Sequence, residues 1–482
     1  MDPVIARALD TAQARGAAYA DVRAVRTRAE RVAVRTGRVD ELSVEERAGI
    51  GVRVLVDGAW GFASTPDQTT AAADRAAVLA VRLARAAAAS GGPPVRLDDR
   101  VPARGRWSTP LVVDPFAIPL DERIAHLMAA DAEMRRVAGV TLTQSLIALR
   151  REEKSFAATD GSATEQTIVH VGAGIEAHAV AGDEHQRRSW PDAGGGWQGA
   201  GWEYVTGLDL VGHAPAVAHE VVELLAAPEL PPGRRTVIID PSQLHLQLHE
   251  SCGHPTELDR VFGTEASFAG TSFLTTDRLA EGFHYGSDLV TIVADATASG
   301  GLGTFGWDDE GVAAQAVPLV ENGILTGYLS SRETAPRIGR RSIGTMRADG
   351  YDRLPLLRMT NVNLVPVPGR TLAQIVAETD DGLYLAYNRS WSIDDRRLNF
   401  QFATEVAREI RGGRLGRLYR NPTYTGSTPE FWRSCDAIAD AGSWMMLGIP
   451  DCGKGEPVQT GYVGHGSSGA RFRDVEVGVG RG

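Results

Sequence analysis

Lysine is nearly missing from this chain. Lys154 and Lys454 are its only two lysines, although lysine and arginine together number 50 among 482 residues. A bias of that kind reads as GC-rich coding rather than as a functional signal. Cysteine is equally scarce, with Cys252, Cys435 and Cys452 only. An odd, sparse set cannot form a disulfide framework in a chain this long, which leaves buried thiols, metal ligands or a nucleophile. No run approaches the ~20 apolar residues that span a bilayer. The N-terminal MDPVIARALDTAQARG has an acid at position 2 and no apolar segment, so a secretory signal is not expected. An excess of positive charge is lacking too: the formal net charge of −11 argues against a nucleic-acid surface.

What is present suits a globular protein with a real core: 43% hydrophobic and 23% charged residues are ordinary values. The length is about three times the ~150 residues of one domain, which makes two domains the starting expectation. Residues 2–15 read as an amphipathic helix stopped by Gly16. From Tyr19 to Ser64 the hydrophobic period is two, predicting three or four antiparallel strands with a turn at Asp57-Gly58. Thr69–Ala89 is helical by propensity, and SGGPPVRLDDRVPARGRWSTP after it reads as a surface linker. A helix is expected over Leu120–Val137, strands from Gly139 to about Gly182, and a helix over His213–Ala226.

The Pro/Gly cluster PELPPG then marks a boundary near residue 230. Beyond it comes a short strand, RTVIID, and a helix begun by Asp240 and Pro241. After Arg260 short strands dominate, with one helix near Thr371–Thr379. The expected class is α+β: an N-terminal α/β domain over 1–230, then a domain over 231–482 dominated by antiparallel sheet and carrying a metal-binding helix.

Chemistry concentrates in His249-Glu250-Ser251-Cys252-Gly253-His254. Two imidazoles around a carboxylate suit a catalytic zinc, with Glu250 placed to take a proton from water. The histidines are five apart, however, which is about 140° around an ideal α-helix. A wider π-type turn of roughly 4.4 residues reduces this to about 50°. Unwinding at Gly253, before Pro255, would serve as well. His245 and His249, four apart, share a helix face more naturally, and spacing does not choose between the pairs. A third ligand is needed, and Cys252, Cys435, Cys452, Glu257 and Asp259 are candidates.

LHESCGH, DGYDRLPLLRMTN (349–361), SIDDRRLNFQF (392–402) and DCGKGEPVQTGYVG (451–464) together resemble the TldD subunit of the TldD/TldE (PmbA) metalloprotease family. The segments LVTIVADATASGGLGTFGWDDEGV and ENGILTGYLSSRETA fit the same pattern, and the likeness covers essentially the whole chain. It implies that His249, His254 and Cys452 hold Zn2+, that Glu250 is the general base, and that His245 is not a ligand. It further implies a cytoplasmic peptidase acting on short, unfolded or leader peptides, paired with a TldE/PmbA-like subunit or with itself. Tyr351, Arg353 and Arg358 are candidates for stabilising the oxyanion or binding substrate. Neither a membrane nor a nucleic acid is an expected partner. A hydrolase maturing a peptide-derived natural product, and a non-catalytic scaffold for a paralogous subunit, are the alternatives.

Three features invite other interpretations. Gly301-Leu302-Gly303-Thr304-Phe305-Gly306 satisfies G-x-G-x-x-G, but Trp307-Asp308-Asp309-Glu310 follows where a dinucleotide fold requires a helix, so a loop is expected. The acidic cluster Asp308, Asp309 and Glu310 reads as a solvated turn. Ser251 beside His254 lacks the G-x-S-x-G elbow of a serine nucleophile.

Overall fold

The structure, a computed structural model, describes residues 2–478. Its first half is a long-stranded sheet with helices on one face. Helix α1 (Pro3–Ala14) begins at Asp2, whose carboxylate accepts from the Val4 N–H. Strands β1 (Tyr19–Arg35) and β2 (Arg38–Val56) form a hairpin, and β3 (Ala59–Thr65) follows after the turn at Asp57-Gly58. Three strands thus form, within the three or four that the sequence suggests. Thr36 and Gly37 make the first turn, both at positive φ.

Helix α2 (Thr70–Ala89) comes next, then β4 (Arg104–Ser108) inside the segment read as linker. Helix α3 (Leu120–Arg135), β5 (Leu142–Ala158) and β6 (Ala163–Ala181) complete the main sheet, whose order is β3-β2-β1-β5-β6-β4. A last helix, α4 (Leu210–Ala226), precedes the Pro/Gly segment.

Period two gives the sheet two different faces. Val22, Val32, Val34, Ile147 and Leu149 lie on the face that α1 and α2 cover at one end and α3 and α4 at the other. The opposite face carries Asp21, Arg23, Arg53, Glu152, Lys154 and His170, all buried. These are the positions that alternation assigns to solvent, and the C-terminal half covers them instead.

The acidic cluster is its side of that contact, which corrects the expectation of a solvated turn. Asp309 lies 2.7 Å from Lys154 and 3.5 Å from Arg23. Glu310 meets Arg53 at 3.3 Å and accepts the Arg332 N–H at 2.7 Å. Asp308 accepts the N–H groups of Glu310, Val312 and Met346, tying its own loop. Lys154 also reaches Glu152 at 3.0 Å. Lys154→Met leaves Asp309 with Arg23 alone and Glu152 with Arg150 alone, so we expect a loss of about 3 kcal/mol in urea unfolding, the lower end for breaking a buried pair.

In the second half, Asp381–Ile393, Gly233–Ile239, Ala470–Val477, Thr423–Ser427 and Asn399–Arg411 pair in that order, and the last pairs back with the first. The sheet is thereby closed on itself. Phe400, Phe402, Tyr424, Phe431 and Phe472 stack against one another in its core. The α+β class expected from the sequence is the class found, and no helix among the described residues is long and apolar enough to cross a membrane.

Candidate metal centre

Helix α5 (Pro241–Leu248) follows the first strand of the closed sheet. Asp240 caps it, accepting the Ser242 N–H at 2.9 Å, and every residue in it is buried. Such burial requires its polar groups to find partners. Gln243 donates to the Tyr424 hydroxyl at 2.9 Å, and Gln247 accepts from it at 3.0 Å.

The helix then widens. Residues His249–Gly253 form a π turn, with the His254 N–H donating to the His249 carbonyl five residues back. The π turn was one of two solutions that the five-residue spacing allowed. Gly253 serves it by close packing, because a Cβ there would lie 2.1 Å from the Met359 sulfur.

With that turn in place, the His249 and His254 rings stand 4.6 Å apart at 80°. The Cys452 sulfur approaches His254 Nε2 to 3.7 Å from the hairpin formed by Met445–Lys454 and Gln459–Ser467. One ligand atom from each of the three residues falls within 4.8 Å of the others, and all three residues are buried.

Hydrogen bonds fix which ring nitrogens are free. His465 Nδ1 must donate to the Val362 carbonyl, 3.1 Å away, which leaves its Nε2 as an acceptor. His249 Nδ1, 2.9 Å from that Nε2, therefore carries the proton, and His249 Nε2 keeps its lone pair. His254 Nδ1 donates likewise to Glu257 at 2.9 Å, freeing Nε2. Carboxylate and carbonyl partners of this kind are how metal-binding histidines are oriented. Burial pushes His254 and His465 down to about 3 and His249 far below its usual value, so the rings are neutral.

Burial alone would raise Glu257, but Lys454, His254 and Arg260 hold its carboxylate well below the usual range. Lys454 is fully buried, donating to Asp259 at 2.8 Å and to the Leu357 carbonyl at 2.7 Å. Glu257 and Asp259 thus orient and balance the site from behind His254. The remaining candidates lie elsewhere. His245 turns to Asp192, 3.1 Å away, and Cys252 and Cys435 sit in the apolar core. Burial raises both thiols to about 12, and Cys452 to about 11 against the pull of Arg358.

Glu250 is buried beside the rings, and Arg397 Nη1 donates to its Oε2 at 2.6 Å. Burial raises this carboxyl above its usual value, against Arg397 and Arg260. Arg397 and His465 were not singled out from the sequence. Arg397 stands inside SIDDRRLNFQF and His465 directly follows DCGKGEPVQTGYVG, segments that carry the family resemblance, and that is the signal that could have marked them. Of Tyr351, Arg353 and Arg358, only Arg358 adjoins the cluster, donating to the Cys452 carbonyl. Tyr351 packs on Gly49, and the Arg353 carbonyl accepts from Arg23. Gly301–Gly306 is a loop tied to Asn361, with no helix after it.

Residues 232–478 match the PmbA/TldA metallopeptidase C-terminal domain, and residues 20–88 match domain 1 of the same family. The chain belongs to the PmbA/TldD metallopeptidase family. A relative named "Metalloprotease" from Methanothermobacter thermautotrophicus is 28% identical over 95% of each chain. One named "Zinc metalloprotease TldD homolog" from Saccharolobus solfataricus is 26% identical over 51% of this chain and 52% of its own. The crystal structure of TldE from Thermococcus kodakarensis has the same fold, with a TM-score of 0.72 at 14% identity, covering 98% of this chain and 99% of that one.

Proposed function

We propose that the chain is a zinc-dependent peptidase subunit hydrolysing short, unfolded or leader peptides. The observation that carries this is the convergence of His249, His254 and Cys452, with Glu250 on the turn between the histidines. Two imidazole nitrogens and one thiolate form a borderline-soft donor set with a position to spare, which suits Zn2+. Bound there, zinc would supply Lewis acidity to the scissile carbonyl and the attacking water.

The protein's own groups do the rest. Glu250 Oε1, the oxygen that Arg397 does not hold at Oε2, takes the proton from water and returns it to the leaving amine. Its raised pKa brings it nearer the operating range of a general acid and base. Arg397 keeps that carboxylate aimed and ionised. Removing the guanidinium raises the carboxyl pKa. Arg397→Met should therefore shift the acid limb of kcat/KM upward by about one pH unit. His465→Phe frees the His249 ring and should weaken zinc binding about 10–100-fold in chelator competition.

The division into units over 1–230 and 231–482, a cytoplasmic setting, and pairing with a TldE/PmbA-like subunit or a second copy belong to the same proposal. The test is peptide mass spectrometry on an unstructured substrate, with zinc-loaded protein alone and with a TldE-type partner. New peptide termini that vanish on chelation and return with zinc are the expected result. An intact substrate under both conditions would overturn it.

A further inference from the structure

A small cavity with charged groups in its lining lies between the two halves of the chain, beside the hairpin that carries Cys452. Its volume is about 40 Å³, room for roughly three water-sized groups at 10–15 Å³ each. The other charges along it are accounted for: Glu152 holds Arg150 at 2.6 Å and Lys154 at 3.0 Å, Asp309 holds Lys154, and the Asp349 carboxylate, which also lines the cavity, accepts the Thr460 N–H at 3.1 Å.

Two cations are not matched. Arg347 and Arg358 both line the cavity, and neither has a carboxylate within ion-pair distance among the described residues. Both donate to carbonyls instead, Arg347 to Tyr462 and Met359, and Arg358 to Cys452 and Gln459. The Nε–H of each is buried without an acceptor.

His170 faces them from the N-terminal sheet. It is 3% exposed and stacks on Tyr462 at 5.0 Å; the Leu302 carbonyl acts on the ring, but neither ring nitrogen makes a hydrogen bond of ordinary geometry. Burial keeps it neutral, so it offers one N–H donor. Burial and then the like charge of Arg358 pull Arg347 down to about 10, against the more distant carboxylates of Asp309 and Glu152. Buried donors left unpaired are costly, and two facing guanidiniums add repulsion.

We propose that this cavity binds a small monovalent anion, a halide or a carboxylate group, held by His170, Arg347 and Arg358. The ion joins the N-terminal sheet to the Cys452 hairpin. Gly461, paired with Cys452 across the hairpin, makes room for the arrangement, since a Cβ there would lie 2.2 Å from the Arg358 guanidinium. The anion is either a dissolved ion or the carboxylate of a bound peptide.

Thermal unfolding of the zinc-loaded protein at constant ionic strength tests the site, with gluconate, too large for the cavity, exchanged for chloride. A ligand bound only by the folded state raises the midpoint. We expect a rise of several degrees in the wild type that His170→Phe and Arg347→Met both abolish, and an anomalous peak at the cavity in wild-type crystals soaked in bromide. Equal chloride responses in wild type and variants, or bromide-soaked crystals with no peak there, would overturn the proposal. These two measurements do not depend on the peptidase reading. With peptides, a several-fold higher KM for the C-terminal amide than for the free acid assigns the site to substrate. Equal KM values with a chloride-dependent midpoint assign it to the dissolved ion.

Discussion

Glu250→Gln is expected to keep the zinc content of the wild type and to lose peptide hydrolysis by about 10²–10⁴-fold, the usual contribution of general acid–base catalysis. The substitution is nearly isosteric, and the amide oxygen still accepts from Arg397, which lies 2.6 Å from the carboxylate. What disappears is the capacity to take up a proton. A loss through misfolding would lower the melting temperature and release metal, so both are measured alongside turnover. A Gln variant as active as the wild type would leave the scaffold interpretation standing, because a scaffold needs the ligands and not the base.

Cys452→Ala should reduce zinc from about one per chain to a small fraction, measured by elemental mass spectrometry on identically prepared protein. Structural zinc sites bind with roughly 10–16 kcal/mol in all, so one ligand of four accounts for a few kcal/mol, or about 10²–10³-fold in affinity. The thiol comes from 198 residues downstream of His254, so a large loss ties the hairpin to the π turn in one site. Unchanged zinc would move the third ligand elsewhere. His245 would then have to leave Asp192, its partner at 3.1 Å.

The site was legible where spacing carries geometry. Histidines five positions apart cannot serve one metal on an α-helix, and the π turn at His249–Gly253 is one of the two repairs that spacing permits. The proposed third ligand, Cys452, came from resemblance, since nothing local in the chain relates residue 452 to residue 254. Arg397 and His465 were missed for a similar reason: each acts through a contact made by distant folding, and neither has a pattern of its own.

The N-terminal sheet teaches the complementary point. Alternation correctly separated its two faces, with Val22, Val32 and Val34 on one and Arg23 on the other. It could not tell that the polar face is covered, because periodicity reports which side chains share a face and not what lies against it. The acidic cluster 308–310 was misjudged on the same ground. Asp309 and Glu310 are buried because cations from another part of the chain meet them.

The distance along the chain between the histidine pair and Cys452 has a consequence for synthesis. A growing polypeptide presents the two imidazoles and Glu250 long before the thiol has been translated. The closed sheet around them also waits, because Ala470–Val477 must pair with Gly233–Ile239, a contact of high sequence separation that forms late. Nascent chains therefore carry the proposed base and two of the proposed ligands without a finished site. On the proposed function, hydrolytic capacity would wait for that late step.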